Sequence, residues 1–279
     1  MPMLKYFRTA IVLSLIAALV CPSEAFAARK KKARKYRGLT ANSAILWDSS
    51  SNRTLYKRDV NQRVLPASTT KVLTALIVLE KLPLDQYVTV SARATGVQPS
   101  KLDLKAGEKY IVQDLLYGLL LNSANDAAVV LAEAAAGSEA EFVNMMNKKA
   151  RTIGAKSSLF ANPHGLPSRN EQYTTAADMA IIFKEALKSA FFRNAITLKY
   201  QEIYSKQGRR HFLKSHNKSL FLNWKRNVYG KTGYTRGAQS CFVGYLPKGD
   251  DVVIIAVFGC RKRWEDVKFI IERYGKIDL

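Results

Sequence analysis

Three short motifs in this sequence combine a hydroxyl group with an amine or an amide, a combination that suits acyl transfer through a serine. In chain order they are Ser68-Thr69-Thr70-Lys71, Ser123-Ala124-Asn125 and Lys231-Thr232-Gly233. A serine hydroxyl is a poor nucleophile unless a base removes its proton. Because residues three apart share one face of a helix, Lys71 can reach Ser68 if a helix begins there. The first motif therefore predicts a nucleophile and its base.

Lys71 can act as a base only when its amine is uncharged. Burial and a nearby cation both lower the pKa of a lysine, and Lys231 is the candidate cation. The alternative is that Lys71 is an ordinary exposed lysine, since most lysines are exposed. Each motif alone is weak evidence, but the order and spacing of all three favour the catalytic interpretation.

The second motif offers groups that suit a peptide substrate. Ser123 could relay a proton to the leaving amine, and Asn125 could bind the substrate's peptide carbonyl. Helix capping and turn formation are the alternative roles, because both residue types commonly perform them.

The third motif offers groups for a substrate's terminal carboxylate. Lys231 and Thr232 could hold that carboxylate, and Gly233 would let the substrate backbone approach closely. The backbone N–H groups of Ser68 and Tyr234 would form an oxyanion hole. Together these residues predict binding and activation of a peptide that ends in a free carboxylate.

The sequence lacks the residue patterns that other common enzyme chemistries require. The histidines His164, His211 and His216 do not have metal-ligand spacing, and no glycine-rich phosphate loop is present, so we expect neither metal nor cofactor. We expect His164 to pack within a loop. Cys241 and Cys260 each lie in an apolar run and are expected to be buried structural cysteines. A disulfide between them stays open, since an exported location would permit one.

The two ends of the chain carry strand patterns. Ala44–Trp47 and Arg53–Tyr56 flank a turn cluster, which indicates a hairpin. Near the other end, Cys241–Leu246 and Val252–Phe258 flank a Pro-Lys-Gly-Asp turn and indicate a hairpin of two buried strands. Strands at both ends predict a mixed α/β fold whose antiparallel sheet is formed from both chain ends.

The middle of the chain has helical periodicity. One apolar stripe after Pro66 consists of Val72, Ala75, Leu76 and Leu79. Residues 111–190 are expected to be mostly helical, with capping boxes that begin at Ser138 and Thr175. Residues 162–167 form a loop by their proline and glycine content. A last amphipathic helix carries Val267, Ile270, Ile271 and Tyr274. We expect helices on both faces of the sheet and a mostly helical insert at about residues 85–200.

The N-terminus has the pattern of a signal peptide over residues 1–27. Lys5 and Arg8 precede an apolar run, and Ala25-Phe26-Ala27 suits cleavage. An uncleaved anchor is the alternative. We therefore expect an exported protein of the periplasm or cell-wall space.

A basic segment follows the predicted signal peptide. It contributes to a formal net charge of +22 for the 279 residues. We expect residues 28–39 to form a disordered arm, because such a block of like charges repels itself. It is either a solvated tail or an adhesive for anionic wall polymers or lipid head groups. We expect no nucleic-acid partner, since an exported protein rarely meets nucleic acid.

The motifs and their surroundings resemble the low-molecular-mass penicillin-binding proteins, the serine-type D-alanyl-D-alanine carboxypeptidases of peptidase family S11. The resemblance covers residues 40–275. The segments that carry it are Pro66–Thr74, Leu121–Ala128, Asn162–Leu166 and Lys231–Thr235. It implies a penicillin-binding protein/β-lactamase-like fold over residues 40–279, and we expect a single catalytic domain without a further domain or anchor. This sequence departs from the family's pattern at Gln239, and it lacks an arginine that some members carry shortly before the third motif.

The resemblance also implies the activity and the role of each motif residue. Ser68 is the acylated nucleophile, Lys71 the general base, Ser123 and Asn125 the second-motif residues, and Lys231 and Thr232 the carboxylate anchors. The substrates would be peptidoglycan stem peptides ending in D-alanyl-D-alanine, and β-lactams would be covalent inhibitors.

Three alternatives stay open at the level of sequence. An endopeptidase that cuts peptidoglycan cross-links would use the same residues. A β-lactamase is the second alternative, although no Glu-x-x-Leu-Asn-like segment lies between the second and third motifs. The third is a wall-binding protein with a silent site, which the intact Ser68, Lys71 and Lys231 argue against.

Overall fold

The computed structural model describes residues 38–249 and 251–279. The predicted signal peptide and residues 28–37 of the predicted basic arm lie outside the described residues. Among the helices of the described part of the chain, none is both long and apolar enough to cross a membrane.

Strands lie at both ends of the described chain with helices between them, as predicted, but four short strands that were not predicted lie among the helices. The strands are β1 (Ser43–Asp48), β2 (Arg53–Arg58), β3 (Tyr87–Thr89), β4 (Lys109–Ile111), β5 (Tyr200–Tyr204), β6 (Arg210–Lys214), β7 (Tyr229–Thr235), β8 (Gln239–Lys248) and β9 (Asp251–Cys260). The α-helices are α1 (Lys71–Lys81), α2 (Ala92–Thr95), α3 (Val112–Leu120), α4 (Asn125–Ala136), α5 (Glu139–Thr152), α6 (Ala176–Ala186), α7 (Ala190–Ala195) and α8 (Arg263–Ile270).

The central sheet is antiparallel and joins both ends of the chain. Its five strands lie in the order β2-β1-β9-β8-β7. Both predicted hairpins, β1–β2 and β8–β9, are present with antiparallel pairing. The pairing of β1 with β9 closes the sheet across the whole length of the sequence, with Ser43 opposite Phe258. The predicted sheet is therefore confirmed.

Helices cover both faces of this sheet. This arrangement buries the apolar side chains of β9, which point alternately to one face and the other. Ile254, Ala256 and Phe258 belong to the hydrophobic cluster that contains α1 and α6. The intervening residues Val253 and Ile255 belong to a second cluster, with α8 and the C-terminal residues. Because side chains alternate between the faces of a strand, the long apolar run of β9 supplies two cores at once.

Helix α1, which begins three residues after Ser68, is deeply enclosed. Every residue from Lys71 to Val78 is buried, so the helix is enclosed on all sides. The predicted apolar stripe marks only one of its faces. Helices α3, α4, α5 and α6 surround it, which removes water from the base of the site.

The predicted insert is mostly helical, as expected, but it also contains strands. Helices α3, α4 and α5 lie there, together with the short ladder β3–β4. Helix α6, also within residues 85–200, packs directly on β1 and β9 of the central sheet. The ribbon β5–β6 follows at residues 200–214. Ser138 and Thr175 cap α5 and α6 as predicted, since each hydroxyl accepts a backbone N–H from the first turn.

Candidate active site

Ser68 lies in a 3₁₀ turn, Ala67–Thr70, that leads directly into α1. Side chains three residues apart eclipse one another in a 3₁₀ turn, so the hydroxyl of Ser68 faces the side chain of Lys71. Ala67, just before the serine, has φ 47°, a left-handed conformation that costs a non-glycine residue about 1–2 kcal/mol. The turn therefore holds a strained backbone beside a half-buried, reachable serine.

The amine of Lys71 is completely buried and has three oxygen neighbours. Its Nζ lies 3.1 Å from Ser68 Oγ, 2.6 Å from Asn125 Oδ1 and 2.8 Å from the carbonyl oxygen of His164. Asn125 is oriented by its Nδ2, which donates to the Gln98 carbonyl at 2.8 Å. The amide oxygen of Asn125 and the carbonyl oxygen of His164 can only accept hydrogen bonds. Each of them therefore takes one N–H group of Lys71.

Burial sets the protonation of this amine. The pKa of Lys71 lies well below its ordinary value, first because burial disfavours the ammonium ion and second because Lys231 is a nearby cation. Asp126 acts in the opposite direction with a smaller effect. A neutral amine uses its two N–H groups for Asn125 and His164, which leaves its lone pair for the proton of Ser68. The arrangement allows Lys71 to accept the proton of Ser68.

Ser123 and Lys231 form a second hydroxyl–amine pair. Lys231 Nζ donates to Ser123 Oγ at 2.9 Å and to the Thr232 carbonyl at 3.1 Å. Lys231 is 1% exposed, and burial together with the guanidinium of Arg263 lowers its pKa to about 7. Ser123 has φ 59°, a second left-handed residue at the site. The hydroxyl of Ser123 is thus fixed beside a group that changes charge near neutral pH.

Strand β7 forms one wall of the site at the edge of the sheet. A Cβ on Gly233 would lie 3.1 Å from the backbone nitrogen of Ser68 and 3.1 Å from the Cβ of Ala67. The glycine therefore allows β7 to pack against the nucleophile turn, a contact that the sequence did not predict. Thr232 is buried beside it, whereas Tyr234 is 64% exposed at the mouth of the site.

The loop of residues 162–167 packs against α1 and the turn that carries Ser68. The sequence identified this segment only as a loop. Thr74 of α1 donates to the carbonyl of Pro163 at 2.6 Å, and the next carbonyl, of His164, holds Lys71. A Cβ on Gly165 would lie 1.8 Å from the carbonyl oxygen of Ala67. The expectation that His164 packs within the loop is confirmed for its ring, which accepts a hydrogen bond from the N–H of Leu166. The sequence did not predict the role of its backbone carbonyl, which accepts a hydrogen bond from Lys71.

Arg263, at the start of α8, is a second group that sequence reasoning missed. Its Nη1 donates to the carbonyls of Gly233 at 3.1 Å and Cys241 at 2.9 Å. The guanidinium therefore lies behind β7 and places a positive charge near Lys231. No local motif marks this arginine, because its position depends on how α8 docks on the sheet.

Cys241 and Cys260 are buried and free, so the default expectation for them is confirmed. Burial raises the pKa of Cys241 to about 12. A thiol of this kind is protonated at neutral pH and is unreactive.

The motif residues therefore meet in one place. Lys71 contacts both Ser68 and Asn125, and Lys231 contacts Ser123. Asn125 begins α4 only two residues after Ser123, so the two clusters share one wall. The requirement that these distant segments form a single site is met.

Comparisons with known proteins agree with this geometry. A family model described as D-alanyl-D-alanine carboxypeptidase, peptidase family S11, matches residues 29–262. D-alanyl-D-alanine carboxypeptidase DacF of Bacillus subtilis is 34% identical over 262 residues, which cover 92% of this chain and 66% of DacF. DacB2 of Mycobacterium tuberculosis is 34% identical over 218 residues, covering 78% of this chain and 74% of DacB2. The chain thus spans just under two thirds of DacF and about three quarters of DacB2.

The fold is shared with solved structures. The crystal structure of a D-alanyl-D-alanine carboxypeptidase from Mycobacterium tuberculosis H37Rv superposes with a TM-score of 0.80 at 31% identity. The superposition covers 86% of this chain and 93% of that one. The mixed α/β fold expected from the resemblance is thereby confirmed.

Proposed function

Because the chain belongs to the D-alanyl-D-alanine carboxypeptidase family, peptidase family S11, we propose that it removes the terminal D-alanine from peptidoglycan stem peptides through an acyl-enzyme on Ser68. The observation that carries this proposal is the hydrogen bonding of Lys71. Its buried amine has two acceptor oxygens that claim its N–H groups, and the Ser68 hydroxyl lies 3.1 Å away. A general base in this position supports nucleophilic attack by the serine.

Acylation begins with transfer of the Ser68 proton to Lys71. Ser68 Oγ attacks the carbonyl carbon between the two D-alanine residues, and the carbonyl oxygen becomes an oxyanion. The backbone N–H groups of Ser68 and Tyr234 receive that oxyanion, each contributing about 3 kcal/mol to the stability of the transition state. Asn125 holds the substrate's peptide group while it keeps Lys71 oriented.

Departure of D-alanine requires a proton on its nitrogen. Ser123 donates that proton, and Lys231 restores it through their 2.9 Å hydrogen bond. The C–N bond then breaks and leaves an ester on Ser68. The proton that Lys71 took from Ser68 replaces the one that Lys231 gave up, so Lys231 is charged and Lys71 is neutral again. Water then hydrolyses the ester with Lys71 as the base, and Lys71 passes the water's proton to the departing Ser68 oxygen, which returns the serine hydroxyl.

The substrate's terminal carboxylate binds at the positive end of the site. Protonated Lys231 and the hydroxyl of Thr232 hold it, and Arg263 contributes positive potential from behind β7. This charge arrangement favours peptides with a free C-terminus over internal peptide bonds, which supports a carboxypeptidase.

β-Lactams are the expected covalent inhibitors. A β-lactam carries a carboxylate and a strained amide, so Ser68 would open the ring in the same way. Penicillin is expected to acylate Ser68, and the acyl group is expected to be hydrolysed slowly. Mass spectrometry of the intact protein after addition of penicillin tests this, and rapid turnover of the drug would favour a β-lactamase instead.

One experiment distinguishes the enzyme from its nearest alternatives. The protein is incubated with a peptide ending in D-alanyl-D-alanine and, separately, with a cross-linked peptide dimer. We expect free D-alanine from the first and no cleavage of the second. Cleavage of the dimer alone would assign an endopeptidase. The Ser68→Ala variant must lose D-alanine release, whereas a silent wall-binding protein would keep its cellular effect in that variant.

We further propose that residues 40–279 form the catalytic domain of an exported protein and that residues 28–39 bind an anionic wall polymer. Seven of the nine residues from Arg29 to Arg37 are cationic, which supports adhesion to polyanions. Deleting residues 28–37 should abolish binding to isolated cell walls at low salt. Unchanged wall binding would contradict the role of the arm, and retention on anionic vesicles alone would assign lipid head groups instead.

A further inference from the structure

The ribbon β5–β6 carries an exposed aromatic surface outside the catalytic site. Its outward face consists of Tyr200, Glu202, Tyr204, Arg210, Phe212 and Lys214, which we call the ribbon face. Phe212 is 60% exposed, Tyr204 49% and Tyr200 47%. Aromatic rings grouped on a surface in this way leave apolar area in contact with water, a feature typical of binding sites.

These rings are not part of the core. The opposite face of the ribbon supplies Ile203 and Leu213, both fully buried in the main hydrophobic cluster. On the outward face, Tyr200 stacks against Phe212 with ring centroids 5.6 Å apart and meets Phe221 edge-on at 5.7 Å. Three rings therefore form a continuous platform that the packing of the ribbon does not require.

Polar groups lie between and beside the rings. Glu202 accepts a hydrogen bond from the Tyr204 hydroxyl at 2.7 Å and pairs with Arg210 at 2.5 Å. Lys214 and Lys199 lie over the ring of Phe221, at 5.3 and 5.8 Å from its centroid. The surface thus alternates apolar ring faces with charged and hydroxyl groups.

The base of the ribbon is anchored next to the second motif. The N–H of Ser215 donates to the carbonyl of Lys199 at 2.9 Å, and the N–H of His216 donates to the carbonyl of Leu121 at 2.9 Å. Leu121 precedes Ser123 by two residues, so the base of the ribbon is fastened beside the second motif.

We propose that the ribbon face binds the amino-sugar glycan strand to which the stem peptide is attached. The C–H face of a sugar ring is apolar and covers an aromatic ring, while its hydroxyl and amide edge can meet Glu202, Arg210 and Lys214. The inference rests on the proposed function for the choice of polymer, because the strand is the part of peptidoglycan that a peptide in the cleft would bring alongside.

Two other occupants fit the ribbon face less well. A lipid bilayer would have to bury the carboxylate of Glu202 among apolar chains, which is costly even for a paired charge. A second copy of this chain would bring together two molecules of net charge +22 each, and like charges oppose association.

The test separates binding of the glycan from turnover of the peptide. Tyr200→Thr and Phe212→Thr are combined in the full chain, since threonine keeps the β propensity of the ribbon. Tyr87→Thr is the matched control, because Tyr87 is 50% exposed on strand β3 and lies outside the ribbon face. Each protein is assayed on a soluble D-alanyl-D-alanine peptide, on sugar-linked pentapeptide polymer, and for binding to a peptide-free oligomer of β-1,4-linked N-acetylglucosamine.

We expect the double variant to bind the amino-sugar oligomer about 10-fold more weakly and to lose about 10-fold in kcat/KM on the sugar-linked polymer. Its kcat/KM on the soluble peptide should match that of the unaltered protein, as should all three values for the control. Equal losses on the soluble peptide and the polymer, or unchanged binding of the oligomer, would overturn the proposal. Sedimentation with anionic vesicles and measurement of self-association test the other two occupants, and loss of either in the double variant without loss of sugar binding would also overturn the proposal.

The two proposals fail in different ways. If the unaltered protein releases no D-alanine from the soluble peptide, the proposed activity is wrong, yet binding of the amino-sugar oligomer still reports on the ribbon face. If D-alanine is released normally but the oligomer does not bind, only the ribbon-face proposal is wrong.

Discussion

The amine of Lys231 donates to the hydroxyl of Ser123 at 2.9 Å, although the lysine is almost completely buried and its pKa is lowered to about 7. Lys71 repeats this pairing with Ser68 at 3.1 Å. The two pairs need opposite protonation states, because Lys71 must be neutral to accept a proton while Lys231 must be charged to hold a carboxylate. The charge of Lys231 also lowers the pKa of Lys71, so a protonated Lys231 helps to keep Lys71 neutral.

The first prediction concerns pH. Because the pKa of Lys231 is lowered to about 7, this lysine is charged below that pH and loses its proton above it. We expect kcat/KM for a peptide with a free carboxylate to fall above pH 7, approaching about 10-fold per pH unit, since kcat/KM reports the free enzyme. The check is a pH profile between 6 and 9. A peptide with an amidated C-terminus is the control and should lose less between pH 6 and 9, because it loses only the proton that Lys231 supplies to Ser123 and has no carboxylate contact to lose.

The second prediction concerns the base. Lys71→Met keeps the apolar stem but removes the amine, so acylation of Ser68 by penicillin should slow by about 10²–10⁴-fold. Lys81→Met, at the exposed end of the same helix, is the matched control and should acylate at the normal rate. The rates follow from mass spectrometry of the intact protein. A folded Lys71→Met variant that acylates normally would disprove the role of this lysine.

The third prediction concerns Asn125. Asn125→Asp would place a carboxylate 2.6 Å from the amine of Lys71, where an amide oxygen now lies. An adjacent opposite charge raises the pKa of an amine by about 1–3 units, so more of Lys71 would be protonated at neutral pH. We expect slower acylation at pH 7 and, relative to the unaltered protein at the same pH, partial recovery at higher pH; the part that does not recover reflects the lost Nδ2 bond to Gln98. Asn144→Asp on the exposed face of α5 adds the same charge elsewhere and should leave the profile unchanged.

The local parts of the site were predictable because local rules govern them. A spacing of three residues is enough to place Lys71 against Ser68 in any helical turn. The meeting of that turn with Ser123 and Lys231 is a long-range event, decided by how β7 and α4 pack around α1. Only the order of the motifs and their family resemblance pointed to it.

Arg263 and the ribbon β5–β6 escaped sequence reasoning for physical reasons. Arg263 is one of 44 lysines and arginines, and nothing adjacent to it marks a role. In the ribbon, rings on the outward face interrupt the apolar-in, polar-out alternation that identifies a half-buried strand. Tyr200 and Tyr204 point outward while Ile203 is buried, so apolar and aromatic residues lie on both faces.

The last prediction concerns Gly165, which packs tightly against the backbone of the turn that carries Ser68. Its φ is +82°, and an added Cβ would lie 1.8 Å from the carbonyl oxygen of Ala67 and 2.8 Å from Thr70 Oγ1. Gly165→Ala must therefore displace either the loop of residues 162–167 or the turn that carries Ser68. We expect a loss of about 3 kcal/mol or more in the free energy of unfolding and a large drop in acylation by penicillin.

A Gly154→Ala variant separates the cost of a steric clash from the cost of placing a side chain on a left-handed backbone. Its φ is +95°, yet an added Cβ would meet no atom within 4 Å. Gly154→Ala therefore carries only the cost of a side chain in a left-handed conformation, about 1 kcal/mol, and should acylate normally. Denaturant unfolding and penicillin acylation of both variants provide the measurement. Equal destabilisation, with acylation preserved in both, would show that the contact between Gly165 and Ala67 does not position the nucleophile.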